Sequence, residues 1–175
     1  MHPTCAFARA VFLCVSLLLT RFASFAQNYR DSFTAKNAFY AELGGNGDVY
    51  SLNYDRVVYQ KVMFKAGFRV GVSSNLFFLE NETGVYPVIP IEALGMIGRY
   101  QKHFEFGLGY TRRFTNEPDL LQNMYFSRIG FRYQDPSGGL VVRVGFTPFL
   151  STEINQKTPG PAIIPRFGLS VGHSF

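Results

Sequence analysis

Two histidines, the serine that adjoins one of them and a set of alternating arginines and carboxylates are the side chains beyond the leader of this 175-residue chain from which chemistry is first sought. His173 is followed directly by Ser174, and a serine beside a histidine is the start of a hydrolytic nucleophile. Here the two are sequence neighbours in a segment of period-two pattern, and neighbours on a strand point to opposite faces. They therefore do not pair. His103 stands beside Lys102, far from either. Two separated histidines make no metal set, and Cys5 and Cys14 both lie within the first 26 residues. The expectation is no catalytic residue, no metal, no cofactor and no enzymatic activity.

The arginines form a different pattern. Lys65, Arg69, Arg113, Arg128, Arg132, Arg143 and Arg166 alternate with apolar residues, as do Glu42, Asp55, Glu92 and Glu105. Alternation puts all of them on one face of their strands. If that face is enclosed, the charges must pair, because a bare buried charge is costly. Two functions follow from such a face: an interior closed by ion pairs, which is the leading expectation, or a narrow anion-favouring pore lined by arginine.

These residues need elements to hold them. Residues 1–26 read as a secretory leader, with Arg9, an apolar stretch over 10–20, and Ser24-Phe25-Ala26 before a cleavage site at Gln27. The apolar stretch is too short to span a bilayer as a helix, which takes about 20 residues. Removal of the leader takes Arg9 and Arg21 but no acid, so the net charge falls from +5 to +3. That excess is too small to argue for a nucleic-acid partner.

Beyond the leader, residues 27–36 form a short N-terminal segment, and residues 37–175 carry period-two patterning. Eight segments are expected as strands: 37–44, 48–58, 63–73, 86–98, 103–113, 124–134, 139–150 and 162–175. The third is the cleanest, with Phe64, Ala66, Phe68, Val70 and Val72 against Lys65, Gly67, Arg69, Gly71 and Ser73. No stretch of helical period intervenes, which excludes a parallel α/β sheet. The expected fold is all-β: an eight-stranded antiparallel up-and-down barrel, closed so that no edge is left. Even-numbered connections are short. Odd-numbered ones are long, except the first, Gly45-Asn46-Gly47, a tight turn. Segments of about ten residues suffice to cross a bilayer when tilted.

Three features place the apolar face outward, as in a transmembrane barrel. The opposite face combines glycine with long charged side chains, which suits the crowded interior of eight strands. Phe39, Phe64, Phe104, Tyr133 and Phe175 mark one rim near the short turns, like an aromatic girdle. Pro87, Pro90, Pro148 and Pro165 fall toward the long connections, where ladder bonds are dispensable. With 17% aromatics and 17% charged residues, but no Trp, the composition also differs from soluble domains, where charge is about 25%. A soluble lipocalin-like binding barrel is the remaining alternative.

The chain resembles the small eight-stranded outer-membrane barrels of the OmpA-barrel, OmpX and OmpW type over residues 37–175. The resemblance rests on the alternation, the loop asymmetry and the terminal aromatic of RFGLSVGHSF. It implies an outer-membrane protein of a Gram-negative envelope, a monomer with both termini in the periplasm and a structural or surface-interaction role whose extracellular ligand is unknown. It also implies that Phe175 is read by the barrel-assembly machinery. Such barrels include lipid A deacylases and acyltransferases, but the histidine placement argues against that here. Arg112 and Arg113, at the outer end of the fifth segment, are the candidates for contact with lipopolysaccharide phosphates. Lys61, Arg99 and Lys102 lie at the short turns and read as charges flanking the membrane.

Overall fold

The structure is a computed structural model and describes residues 32–78, 83–115, 121–151 and 162–175. The expected leader, its cleavage site and both cysteines lie outside these residues. Among the described residues ten strands are formed: β1 (Asn37–Gly44), β2 (Tyr50–Gln60), β3 (Phe64–Phe78), β4 (Thr83–Arg99), β5 (Lys102–Arg113), β6 (Asn123–Gln134), β7 (Gly139–Phe146), β8 (Phe149–Ser151), β9 (Ala162–Ile164) and β10 (Phe167–Ser174). All pairings are antiparallel. From β1 to β7 each strand pairs with its sequence neighbour, β6 also pairs with β8 and β8 with β9, and β10 pairs with both β7 and β1 to close the sheet.

Ten strands make eight staves. β8 continues β7 past Pro148, and β9 continues into β10 past Pro165. The interruptions lie opposite one another and are bridged by two hydrogen bonds, Thr147 N to Arg166 O at 2.7 Å and Arg166 N to Thr147 O at 3.2 Å. Proline removes a ladder donor, so both gaps fall where proline stands. The chain is thus a closed eight-stranded antiparallel barrel.

Its polarity is inverted relative to a soluble domain. The outward residues of the staves are mostly apolar and exposed, among them Phe167 at 74% and Leu108 at 70%. The inward residues are mostly polar and buried, with Arg69 and Arg132 each at 1%. The rim aromatics Phe39, Phe64, Phe104, Tyr133 and Phe175 are all exposed on the outer face near the short connections. A bulge between Val57 and Tyr59 breaks the alternation of β2, leaving Val58 and Tyr59 both exposed beside buried Val57.

Two connections differ from expectation. The third was expected as a long connection from residue 74 to 85, yet β3 and β4 stay paired out to Phe78 and Thr83. It is a long hairpin extending from the barrel, with residues 79–82 outside the described set. The first, Gly45–Gly47, is a 3-10 turn whose three residues are all buried. It folds inward over the lumen, with Gly44 and Gly45 at positive φ (70° and 69°), a region open to glycine.

Candidate functional site: the charged lumen

Four arginines and four carboxylates meet inside the barrel. Arg69 on β3 reaches Glu92 on β4 at 2.7 Å, Glu105 on β5 at 3.0 Å and Asp55 on β2 at 4.0 Å. Arg132 on β6 grips Asp55 with two bonds, 2.6 and 3.0 Å, and donates its Nε to Gln134 at 2.7 Å. Arg143 on β7 donates twice to Glu105. Arg128 on β6 donates to Glu42 on β1 at 2.9 Å and lies 3.3 Å from Glu92. Tyr40, on β1 beside them, presents its ring to the guanidinium of Arg143 at 4.7 Å and of Arg69 at 5.4 Å. Planar guanidinium groups fork onto carboxylates and stack on rings, which a lysine would not do equally well.

Glycine makes the room. Gly44, Gly168, Gly145 and Gly130 are register partners across four adjacent strands. The Glu42 carboxylate lies against Gly168, where a Cβ would come within 2.4 Å of its Oε1. The Glu92 carboxylate lies likewise against Gly107, at 2.2 Å. Glycine facing long charged side chains is therefore a packing relation: each carboxylate fills the volume that the facing residue lacks.

Both ends of the lumen are covered. At the long-connection end the inturned 3-10 turn is held by Asn46 Nδ2 to Glu92 at 3.3 Å, Thr111 Oγ1 to Asn46 O at 3.0 Å, and Ser73 and Asn75 to Gly47 O at 2.9 and 3.0 Å. Asp48 follows at φ 72° and accepts two 2.6 Å bonds from Arg113 and a 3.0 Å contact from Arg166. At the short-turn end Phe33 is buried among Val57, Leu94 and Met96. Its ring meets His103 edge-on at 5.0 Å, with the Lys65 ammonium 5.0 Å away. Phe33 also exchanges hydrogen bonds with Gln60, and residues 34 and 35 donate to Pro136 O. Lys65 reaches Gly98 O at 3.4 Å.

Nine of the ten charges expected in the lumen network are buried there: Glu42, Asp55, Lys65, Arg69, Glu92, Glu105, Arg128, Arg132 and Arg143. The tenth, Arg166, sits at the mouth with its side chain 27% exposed. Arg113, named both for the inward face and for lipopolysaccharide, is inward and held by Asp48 and Leu121 O. It is removed from the pair of candidate lipopolysaccharide contacts, because adjacent residues on β5 face opposite ways. Arg112 faces outward, against the Phe114 ring at 5.4 Å and Asn123 at 3.4 Å. Asp48 and Tyr40 were not singled out from the sequence. Asp48 was hidden by standing at a strand start next to an expected surface turn, and Tyr40 by being aromatic.

His173 faces outward, paired with Phe39 and Leu140, whereas the Ser174 hydroxyl points in and donates to Gly139 O at 3.3 Å. Phe175 ties the seam, its amide donating to Asn37 O at 2.8 Å and its carbonyl accepting from Asn37 N at 3.0 Å.

No protein-family model matches the chain, and no curated protein matches it. Among solved structures, the crystal structure of the outer membrane enzyme PagL matches at 12% sequence identity with a TM-score of 0.48, covering 77% of this chain and 97% of that one. At this identity the likeness concerns the fold alone. That protein is nevertheless an enzyme, so the expectation that this chain has no enzymatic activity does not stand and is withdrawn.

Proposed function

We propose that the mature protein is an integral outer-membrane barrel, exported by a leader cleaved before Gln27. In this proposal it has a structural or surface-interaction role and a lumen closed by ion pairs. The observation that carries the reading is the inverted polarity: a continuous exposed apolar wall around a buried ionic interior. A soluble lipocalin-like barrel needs the reverse arrangement, since a large exposed apolar surface in water drives association. The ion pairs at mid-height, the inturned Gly45–Gly47 turn at one mouth and Phe33 at the other support closure over an anion-favouring pore. Arg112 is the side chain placed to meet lipopolysaccharide phosphate, and Phe175 is the terminal aromatic offered to the assembly machinery. The barrel acts as a monomer with both termini in the periplasm.

Membrane fractionation combined with heat-modifiable gel mobility tests the placement. Recovery in the outer-membrane fraction with a heat-dependent mobility shift is expected. A soluble periplasmic protein of unchanging mobility overturns it in favour of the lipocalin-like barrel.

A further inference from the structure

The outer wall of the barrel is not uniformly covered. On the outer face of β3 and β4, toward the short-turn end, the residues are small: Ala66 and Gly95 are register partners, and Ala93 lies one outward position beyond. Phe64, Phe106 and Leu108 stand around them and enclose an open groove of about 470 Å³ with an almost wholly apolar lining. The ring of Phe106 lies across Gly95, where a Cβ would come within 2.5 Å of it, so glycine is what lets this wall lean over the groove.

At the short-turn end, β4 and β5 and the turn before β3 carry cations with no ion-pair partner among the described residues. Arg99 and Lys102 are register partners one outward row beyond Ile97 and Phe104. Lys61 lies in the adjoining turn, where Met63 O accepts from Gly98 N at 2.9 Å. All three are exposed, and none forms an ion pair with a described acid. Five of the six described acids are spent inside the barrel: Glu42, Asp48, Asp55, Glu92 and Glu105. The sixth, Asp135, is engaged by Ser137 and Gln101. Arg99 stands four residues beyond Gly95 along β4, about 13 Å at the rise of a strand. The apolar groove thus lies about 13 Å along the strand from exposed cations that have no ion-pair partner among the described acids.

We propose that this sector is a binding site for an anionic glycerophospholipid of the periplasmic leaflet. One acyl chain lies in the groove over Ala66 and Ala93, against the Phe106 ring that covers Gly95, and the phosphate is held by Arg99 and Lys102 with Lys61 beside them. Charge complementarity selects the anionic headgroup, and the groove supplies the apolar contact. The site rests on the membrane placement proposed above.

The test is native mass spectrometry of the full-length mature protein that has first shown heat-modifiable mobility. It is equilibrated with phosphatidylglycerol, phosphatidylcholine of matched chains, or lipid A. Phosphatidylglycerol is expected to be retained at least tenfold over phosphatidylcholine. Arg99→Gln with Lys102→Gln removes that preference. Ala93→Phe, which fills the groove, lowers retention of phosphatidylglycerol at least fivefold, whereas Leu169→Phe on the outer face of β10 leaves it unchanged. Equal retention of the two phospholipids, preferential retention of lipid A, or indifference to either the cation or the groove substitutions overturns the site. A protein without heat-modifiable mobility overturns the membrane placement instead, so the two failures are distinguishable.

Discussion

Arg132 and Asp55 are 77 residues apart in sequence and meet through two hydrogen bonds of 2.6 and 3.0 Å. They stand on β6 and β2, which are four staves apart on either route around an eight-stave barrel. The bond therefore crosses the lumen along a diameter. It can form only after the sheet has closed, and it holds together two walls that share no ladder bonds.

Glu105 is the most heavily shared carboxylate, accepting from Arg69 and Arg143 with Arg132 at 3.5 Å. Glu105→Gln leaves these guanidinium groups buried without their counter-charge. The expected loss of stability is on the order of 3–5 kcal/mol, the cost of breaking a buried pair. Adding Arg143→Met should recover part of it. Thermal unfolding in detergent, read by the heat-modifiable gel shift, measures both. Equal stability of wild type and Glu105→Gln would show that the pairs are solvated.

Gly107→Ala places a methyl 2.2 Å from Glu92 Oε1 and 3.0 Å from the Ala93 carbonyl oxygen. The carboxylate must leave Arg69 and Arg128 to make room. Overpacking of this kind costs about 1–3 kcal/mol, and a lowered melting temperature is expected. Glu92→Ala in the same chain should relieve the clash, so the double variant should lose less than the sum of the two single changes.

Deletion of Phe175 removes the amide and carbonyl that pair with Asn37 at the β1–β10 seam, along with one rim aromatic. Outer-membrane levels should fall further than after deletion of a single residue in the outer connections. Quantitative blotting of membrane fractions gives the comparison, and wild-type levels would contradict the role assigned to the terminus.

Closure of the lumen is measured directly by planar-bilayer conductance. No steady channels are expected from the purified barrel. Steady anion-selective channels would overturn closure and promote the pore. Phe33→Ala should cost about 3–5 kcal/mol if the ring is as fully packed as its burial indicates, and chemical denaturation of the refolded protein tests this separately.

Asp135, in the β6–β7 turn, gives a pH dependence of known sign. Partial burial pushes its carboxyl up, but the Ser137 hydroxyl and amide and the Gln101 amide donate to it and hold it below the usual carboxylate range. A depressed carboxyl contributes stability that is present above its unfolded value and lost as the pH falls through the folded one. Asp135→Asn should flatten the acid limb of a stability–pH profile between about pH 4 and lower values, with no change near neutrality in that slope. An unaltered acid limb would mean the turn carries none of it.

Much of this architecture was legible in the residues alone. Period two over eight segments set the strand number, the up-and-down order and the two faces, because side chains alternate strictly along a strand. The glycine-and-charge face marked itself as interior. Arg69, Arg128, Arg132 and Arg143 were recognisable as its cations, because charged groups packed among glycines suit a narrow enclosed space. What alternation does not encode is which charges meet. Arg132 with Asp55 and Arg128 with Glu42 are pairings across closed geometry, set by shear, tilt and the reach of each side chain. The fate of Gly45-Asn46-Gly47 was equally hidden: a glycine-rich tripeptide reads as an exposed turn, and only the enclosed acceptors and donors around it draw it into the barrel. Phe33 reads as a residue in a polar lead-in until the mouth formed by Val57, Leu94, Met96 and His103 exists to receive it. Asp48 and Arg113, 65 residues apart, become partners for the same reason: local pattern assigns a face, and only the closed barrel brings two faces within a hydrogen bond of each other.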